Sequence, residues 1–187
     1  MLQIRDGYQK KSPLHHAAEK GHVKILKFLT NSLTTEQWYS LLQITDEDYR
    51  TPVHYAAESG NTETVSGLTH SLTNEQWYSL LQITDDNGRI PVHYAANSGN
   101  AKTVKGQTHL LTNEQWYSLL KKKDKSNITP VHAAAGGVHG YDMLSALKET
   151  VTPELWIDLL SIPLPNFIHQ WDTTTRNLSV SPTVRNL

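Results

Sequence analysis

The sequence predicts an all-α solenoid of about four three-helix repeats. Three observations predict it. A tetrad ending in Pro-Leu/Val-His recurs at Ser12–His15, Thr51–His54, Ile90–His93 and Thr129–His132, with steps of 39 residues. Trp38, Trp77 and Trp116 keep the same period and Trp156 follows after 40, so the fourth repeat carries one extra residue, placed in the Gly136–Gly140 stretch. Within each period, capping residues, prolines and glycines divide the chain into three short segments of helical character. A fixed period of this size marks units that cannot bury their apolar faces alone and must stack. The expected division is 1–11 as the remnant of a preceding repeat or an N-terminal cap, then repeats 12–50, 51–89, 90–128 and 129–162, then 163–187 as a C-terminal cap and polar tail.

The first helix of each repeat opens at the tetrad. Its hydroxyl residue can cap, and Pro suits the first helical position, where the missing N–H would be unpaired anyway. The helix continues through paired alanines (Ala17-Ala18, Ala56-Ala57, Ala95-Ala96, Ala133-Ala134), whose small side chains allow close helix approach. It stops at Gly21, Gly60 and Gly99, where a left-handed residue is needed. The second helix carries apolar residues such as Val23, Leu26 and Leu29 in the first repeat. The third is opened by Thr34, Thr73, Thr112 and Thr152. Gln37, Gln76 and Gln115 lie three residues on and complete a capping box, while Pro153 marks the same boundary in the fourth repeat. Leu33, Leu72, Leu111 and Val151 precede these caps, and each Trp at the fourth helical position can close a hydrophobic staple on them.

Composition excludes several function classes. The 17 basic and 18 acidic residues leave a net charge of −1, which removes the chain-wide electrostatic case for nucleic acid or an anionic membrane. No cysteine is present, so there is no disulfide framework, thiolate nucleophile or Cys-based zinc site. No apolar run approaches the roughly 20 residues of a membrane helix, and the N-terminus has no signal-peptide core.

The stretch Thr51-Pro52-Val53-His54-Tyr55-Ala56-Ala57-Glu58-Ser59-Gly60-Asn61, repeated four times with variations, resembles the ankyrin repeat, whose signature is T-P-L-H-x-A at a 33-residue period. The longer period adds six residues after the second helix. There an ordinary ankyrin repeat forms its hairpin, and this chain has Leu72-Thr73-Asn74-Glu75-Gln76-Trp77-Tyr78-Ser79-Leu80-Leu81. An inserted helix is expected to replace or prop the hairpin. Such long-period arrays are similar to ankyrin effectors of intracellular bacteria. In the second helix Gly67 and Gly106 stand where the first repeat has Phe28. Glycine there costs roughly 1 kcal/mol against Ala, and the expected compensation is room for a Trp ring from the third helix.

The ends depart from the pattern. Met1–Asp6 resembles Leu41–Asp46, as if the chain began at the tail of a missing repeat; alternatively Lys20, Lys24 and Lys27 blunt the N-terminal face. After Leu160 the pattern fails, Pro163 and Pro165 interrupt regular structure, and Trp171 is expected to dock a mobile polar tail onto the last repeat.

Ten histidines invite a metal or general-base reading. However, His15, His54, His93 and His132 occupy equivalent positions on helices that stack about 8–10 Å apart, too far to share an ion held at about 2.0–2.1 Å. Each ring is expected to bond the turn that starts its helix. Lys121-Lys122-Lys123-Asp124-Lys125 reads as a solvated turn, or as a contact for nucleic acid, a phosphoinositide or an acidic partner surface. Glu36, Glu75, Glu114 and Glu154 complement the helix dipole. No catalytic motif is present, so no enzyme and no cofactor or metal is expected.

The family resemblance implies a non-catalytic module that binds a protein partner on a concave surface. The contact positions it implies are Glu47, Asp48, Arg50, Glu58 and Ser59 in the second repeat and Asp86, Asn87, Arg89, Asn97 and Ser98 in the third. The expected protein is a cytoplasmic monomer that binds no nucleic acid, acting in a host cytosol if it is a secreted effector. The alternative is a structural or assembly segment of a larger ankyrin-repeat protein whose activity lies elsewhere.

Overall fold

The computed structural model describes residues 5–137 and 139–163. Among them are twelve helices and no strand, in four consecutive triplets. The first helices of the triplets are α1 (Pro13–Glu19), α4 (Pro52–Glu58), α7 (Pro91–Asn97) and α10 (Pro130–Gly136). The second are α2 (Val23–Ser32), α5 (Thr62–Thr69), α8 (Ala101–Thr108) and α11 (Gly140–Lys148). The third are α3 (Thr35–Leu42), α6 (Asn74–Leu81), α9 (Asn113–Leu120) and α12 (Pro153–Ser161). First helices pack on first helices and second on second, in chain order, so the array is an all-α solenoid. Met1–Ile4, expected as part of a preceding repeat's tail, and the expected docking of Trp171 lie outside the described residues.

The alanines explain the first row. Ala18, Ala56, Ala57, Ala95, Ala96 and Ala134 are almost wholly buried between neighbouring first helices, together with Leu14, Val53, Val92 and Val131. Gly21, Gly60 and Gly99 end α1, α4 and α7 in the left-handed region, with φ of 67°, 68° and 74°. Asn61 and Asn100 then start α5 and α8. Asn61 Oδ1 accepts from Glu63 N at 3.0 Å and Thr64 N at 3.2 Å.

The histidines stitch the first row together. His15 Nδ1 accepts the Ser12 backbone N–H at 3.1 Å, and its Nε2 donates to Arg50 O at 3.0 Å, in the next triplet. His54 repeats this with Thr51 N at 3.0 Å and Arg89 O at 3.2 Å, and His93 with Ile90 N at 3.2 Å and Ile128 O at 3.0 Å. Accepting at Nδ1 fixes the neutral Nε2–H form. The third helical residue thus reaches back to the cap N–H, as Glu or Gln does in an ordinary capping box. The bond at Ile90 forms without a cap hydroxyl, so the histidine is the constant part of this cap. His132 reaches Ile162 O at 3.1 Å, the residue that follows α12.

The tryptophans stitch the third row to the second. Trp38, Trp77 and Trp116 are at most 2% exposed. Trp38 Nε1 donates to Leu68 O at 2.9 Å and Trp77 Nε1 to Gln107 O at 3.0 Å, both at the end of the next second helix. Trp116 Nε1 donates to Thr150 Oγ1 at 2.8 Å, and that hydroxyl donates on to Leu147 O at 2.6 Å, so the threonine stands between the ring and the equivalent carbonyl. Trp156 is only partly buried. The expected capping boxes form at Thr34/Gln37, Thr73/Gln76 and Thr112/Gln115. Tyr39 OH to Ser79 Oγ at 3.1 Å and Tyr78 OH to Ser118 Oγ at 2.8 Å link successive third helices.

The expectation for the helical glycines is corrected. A Cβ at Gly67 would meet Leu26 Cβ at 3.5 Å and Val23 Cγ1 at 4.0 Å, and one at Gly106 would meet Thr62 Cγ2 at 3.2 Å. The space is filled by the preceding second helix rather than by a Trp ring. The glycines let α5 lie on α2 and α8 on α5.

Candidate protein-binding surface

Between each third helix and the next first helix the chain makes a tight turn built on an aspartate. Asp46 Oδ1 accepts the N–H groups of Asp48 at 2.9 Å and Arg50 at 2.8 Å, and Oδ2 accepts Tyr55 OH at 2.6 Å. Asp85 does the same with Asn87 N, Arg89 N and Tyr94 OH at 2.9, 2.7 and 2.6 Å. Burial together with the bond to the aspartate pushes both tyrosine pKa values well above the phenol range. In the last turn Asp124 Oδ1 accepts from Ser126 N and Ile128 N at 2.8 and 2.9 Å, and Arg89 Nε donates to its Oδ2 at 3.2 Å, since Ala133 replaces the tyrosine. At the first turn Asp6 takes the N–H groups of Gln9 and Lys11 and pairs with His16 at 3.0 Å.

Asp46, Asp85, Asp124, Tyr55 and Tyr94 were not among the residues expected to matter. Their recurrence every 39 residues was the signal that could have found them.

Successive turns are bonded through their backbones. Glu47 N donates to Gln9 O at 3.1 Å, Asp86 N to Asp48 O at 2.9 Å and Lys125 N to Asn87 O at 2.9 Å. The turns thus form one continuous strip. The third helix precedes the turn, so a row of loop tips stands at the edge of the first helices.

The ten expected contact residues divide by exposure. Glu47, Glu58, Ser59, Asp86, Asn87 and Asn97 are exposed; Asp48, Arg50, Arg89 and Ser98 are half-buried. Arg50 is largely engaged within the chain. Its side chain, 18% exposed, faces Asp46 at 3.4 Å, Asp48 at 3.0 Å and Glu58 at 3.9 Å, and its guanidinium lies 4.6 Å from the Tyr55 ring centre. Arg89, 41% exposed, pairs with buried Asp124. Ser59 and Ser98 donate to Ala56 O and Ala95 O, both at 2.9 Å. With both arginines held by carboxylates, the outward charge of the two middle turns is acidic.

Of the lysine cluster, Lys121 pairs with Asp158 at 3.2 Å, Lys125 reaches Asp86 O, and Lys122 and Lys123 are exposed. Among the described residues no group of His, Asp and Glu is arranged to hold a metal ion. None of the described helices is long and apolar enough to cross a membrane.

No curated protein matches the chain. The family model for ankyrin repeats (three copies) matches residues 2–76 and 37–106, together more than half of the sequence. Ankyrin repeats are generally protein–protein interaction modules. With the helical array and the match in agreement, the chain belongs to the ankyrin-repeat family.

Proposed function

We propose that the chain is a non-catalytic interaction module that binds a partner protein along its strip of turns, with Glu47, Asp48, Glu58, Asp86, Asn87 and Asn97 as direct contacts and Arg50, Arg89, Ser59 and Ser98 framing them. The observation that carries this reading is the continuity of the strip. Asp46, Asp85 and Asp124 use their carboxylates to fix the turns, which holds the backbone beneath the neighbouring solvent-facing acidic and amide side chains in place. Pre-ordered contacts bind with a smaller entropic penalty than mobile ones.

In this reading the module is a monomer that binds no nucleic acid, and its near-zero net charge agrees with the second point. Its use as a secreted bacterial effector on host proteins in a host cytosol rests on the long-period resemblance alone.

The test is affinity capture from host-cell lysate with identification by mass spectrometry, followed by titration of the captured protein. Glu47→Ala/Asp86→Ala should weaken its affinity about ten-fold or more, the scale of a single hot-spot loss, with no change in thermal unfolding. Unchanged affinity in this variant sinks the assignment of the strip.

A further inference from the structure

The open face of α2 inverts the rule followed inside the array. Ile25 and Phe28 are 48% and 69% exposed. Their equivalents are Thr64 and Gly67 in α5 and Thr103 and Gly106 in α8; the threonines are buried and the glycines face the preceding second helix. Thus the covered positions are small or polar, and the uncovered ones are large and apolar. An exposed side chain as large and apolar as Phe28, with Ile25 beside it, points to a partner. Beside it lies a cleft of about 500 Å³ lined by Pro13, Ala17, His22 and Ile25 among others.

The surroundings specify the partner's charge. Lys20, Lys24 and Lys27 are exposed, and α2 contains no acidic residue. The nearest carboxylates on α1 and the first turn are already used: Glu19 pairs with Lys11 at 3.2 Å and Asp6 with His16 at 3.0 Å. A second copy meeting this face with its own would oppose lysine to lysine.

We propose that the α2 face is a second docking surface, separate from the turns, for a partner helix with an apolar stripe flanked by Asp and Glu. The face continues the helix-on-helix interface that runs from α11 through α8 and α5 to α2, and Phe28 with Ile25 supplies the apolar anchor. The probe is a fluorescein-labelled helical peptide of about 18 residues, five turns, with a leucine stripe and glutamates elsewhere; its lysine counterpart is the control.

Fluorescence anisotropy should show the glutamate peptide binding the wild type and the lysine peptide not. Ile25→Thr/Phe28→Gly, which gives α2 the residues of α5, should weaken binding at least about ten-fold. Lys24→Glu/Lys27→Glu, a surface change that leaves packing intact, should do the same, and Glu47→Ala/Asp86→Ala should not. Equal binding of both peptides, no binding of either, or indifference to both α2 variants overturns the proposal, as does a concentration-dependent dimer abolished by Phe28→Gly.

Discussion

At the scale of single residues, the histidines do structural work that only the neutral ring can do. Burial lowers the pKa of His54 from 6.5 to about 4, and lowers those of His15 and His93 as well. The unfolded chain therefore takes up these protons first. Their contribution to stability is complete above pH 6.5 and is lost as the pH falls toward 4; for His54 alone it is on the order of 3 kcal/mol. Urea midpoints measured from pH 7 to pH 4 should fall through that window. His54→Gln, which keeps an acceptor for the Thr51 N–H, should flatten the slope. Exposed carboxylates such as Glu149, held down by Lys105, begin to lose their contribution only below about pH 4.5. A midpoint independent of pH between 6.5 and 5 would contradict this account.

Gln107 poses the opposite case. It is fully buried, its side-chain oxygen and nitrogen have no protein partner, and its equivalents are Leu68 and Leu147. Gln107→Leu should raise stability by about 1–3 kcal/mol, the desolvation penalty of an unpaired amide. The check is a higher denaturation midpoint at unchanged m.

At the scale of elements, the spacing between second helices is set by glycine. Gly67→Ala places a Cβ at ordinary contact distance from Leu26 and gains helix propensity, so it should stabilise by about 0.5–1 kcal/mol. Gly106→Ala meets Thr62 at 3.2 Å and should gain less or nothing. Gly67→Phe should push α5 off α2 and cost about 1–3 kcal/mol or more. Thermal melts of the three variants should rank in that order, and a harmless Gly67→Phe would refute the close-approach argument. The third helices are fixed differently. Trp77→Phe removes the donor to Gln107 O and leaves that buried carbonyl unpaired, at a cost of about 1–3 kcal/mol.

Much of this was legible in the sequence because it is local. Capping boxes, first-position prolines and left-handed glycines act within a few residues, and their recurrence placed the helices. What was not legible spans 30 to 40 residues. Nothing in Trp38 announces that its N–H will find Leu68 O, and nothing in Gly67 says whether Trp or Leu fills the space beside it. Arg50 was legible as a surface contact by its place in the repeat, yet the carboxylates around it and the Tyr55 ring beneath it come from the folded turn.

At the scale of the whole molecule, each triplet touches its neighbours, and the histidine, tryptophan and turn bonds all run from one triplet to the next. Such an array presents one edge of ordered turns along its described length, and that edge is the proposed site of recognition. The most direct test is hydrogen–deuterium exchange of the chain with its captured partner. New protection is expected at residues 46–50 and 85–89, with the third helices α3, α6 and α9 unchanged. Protection confined to those third helices, with the turns exchanging as in the free protein, would contradict it.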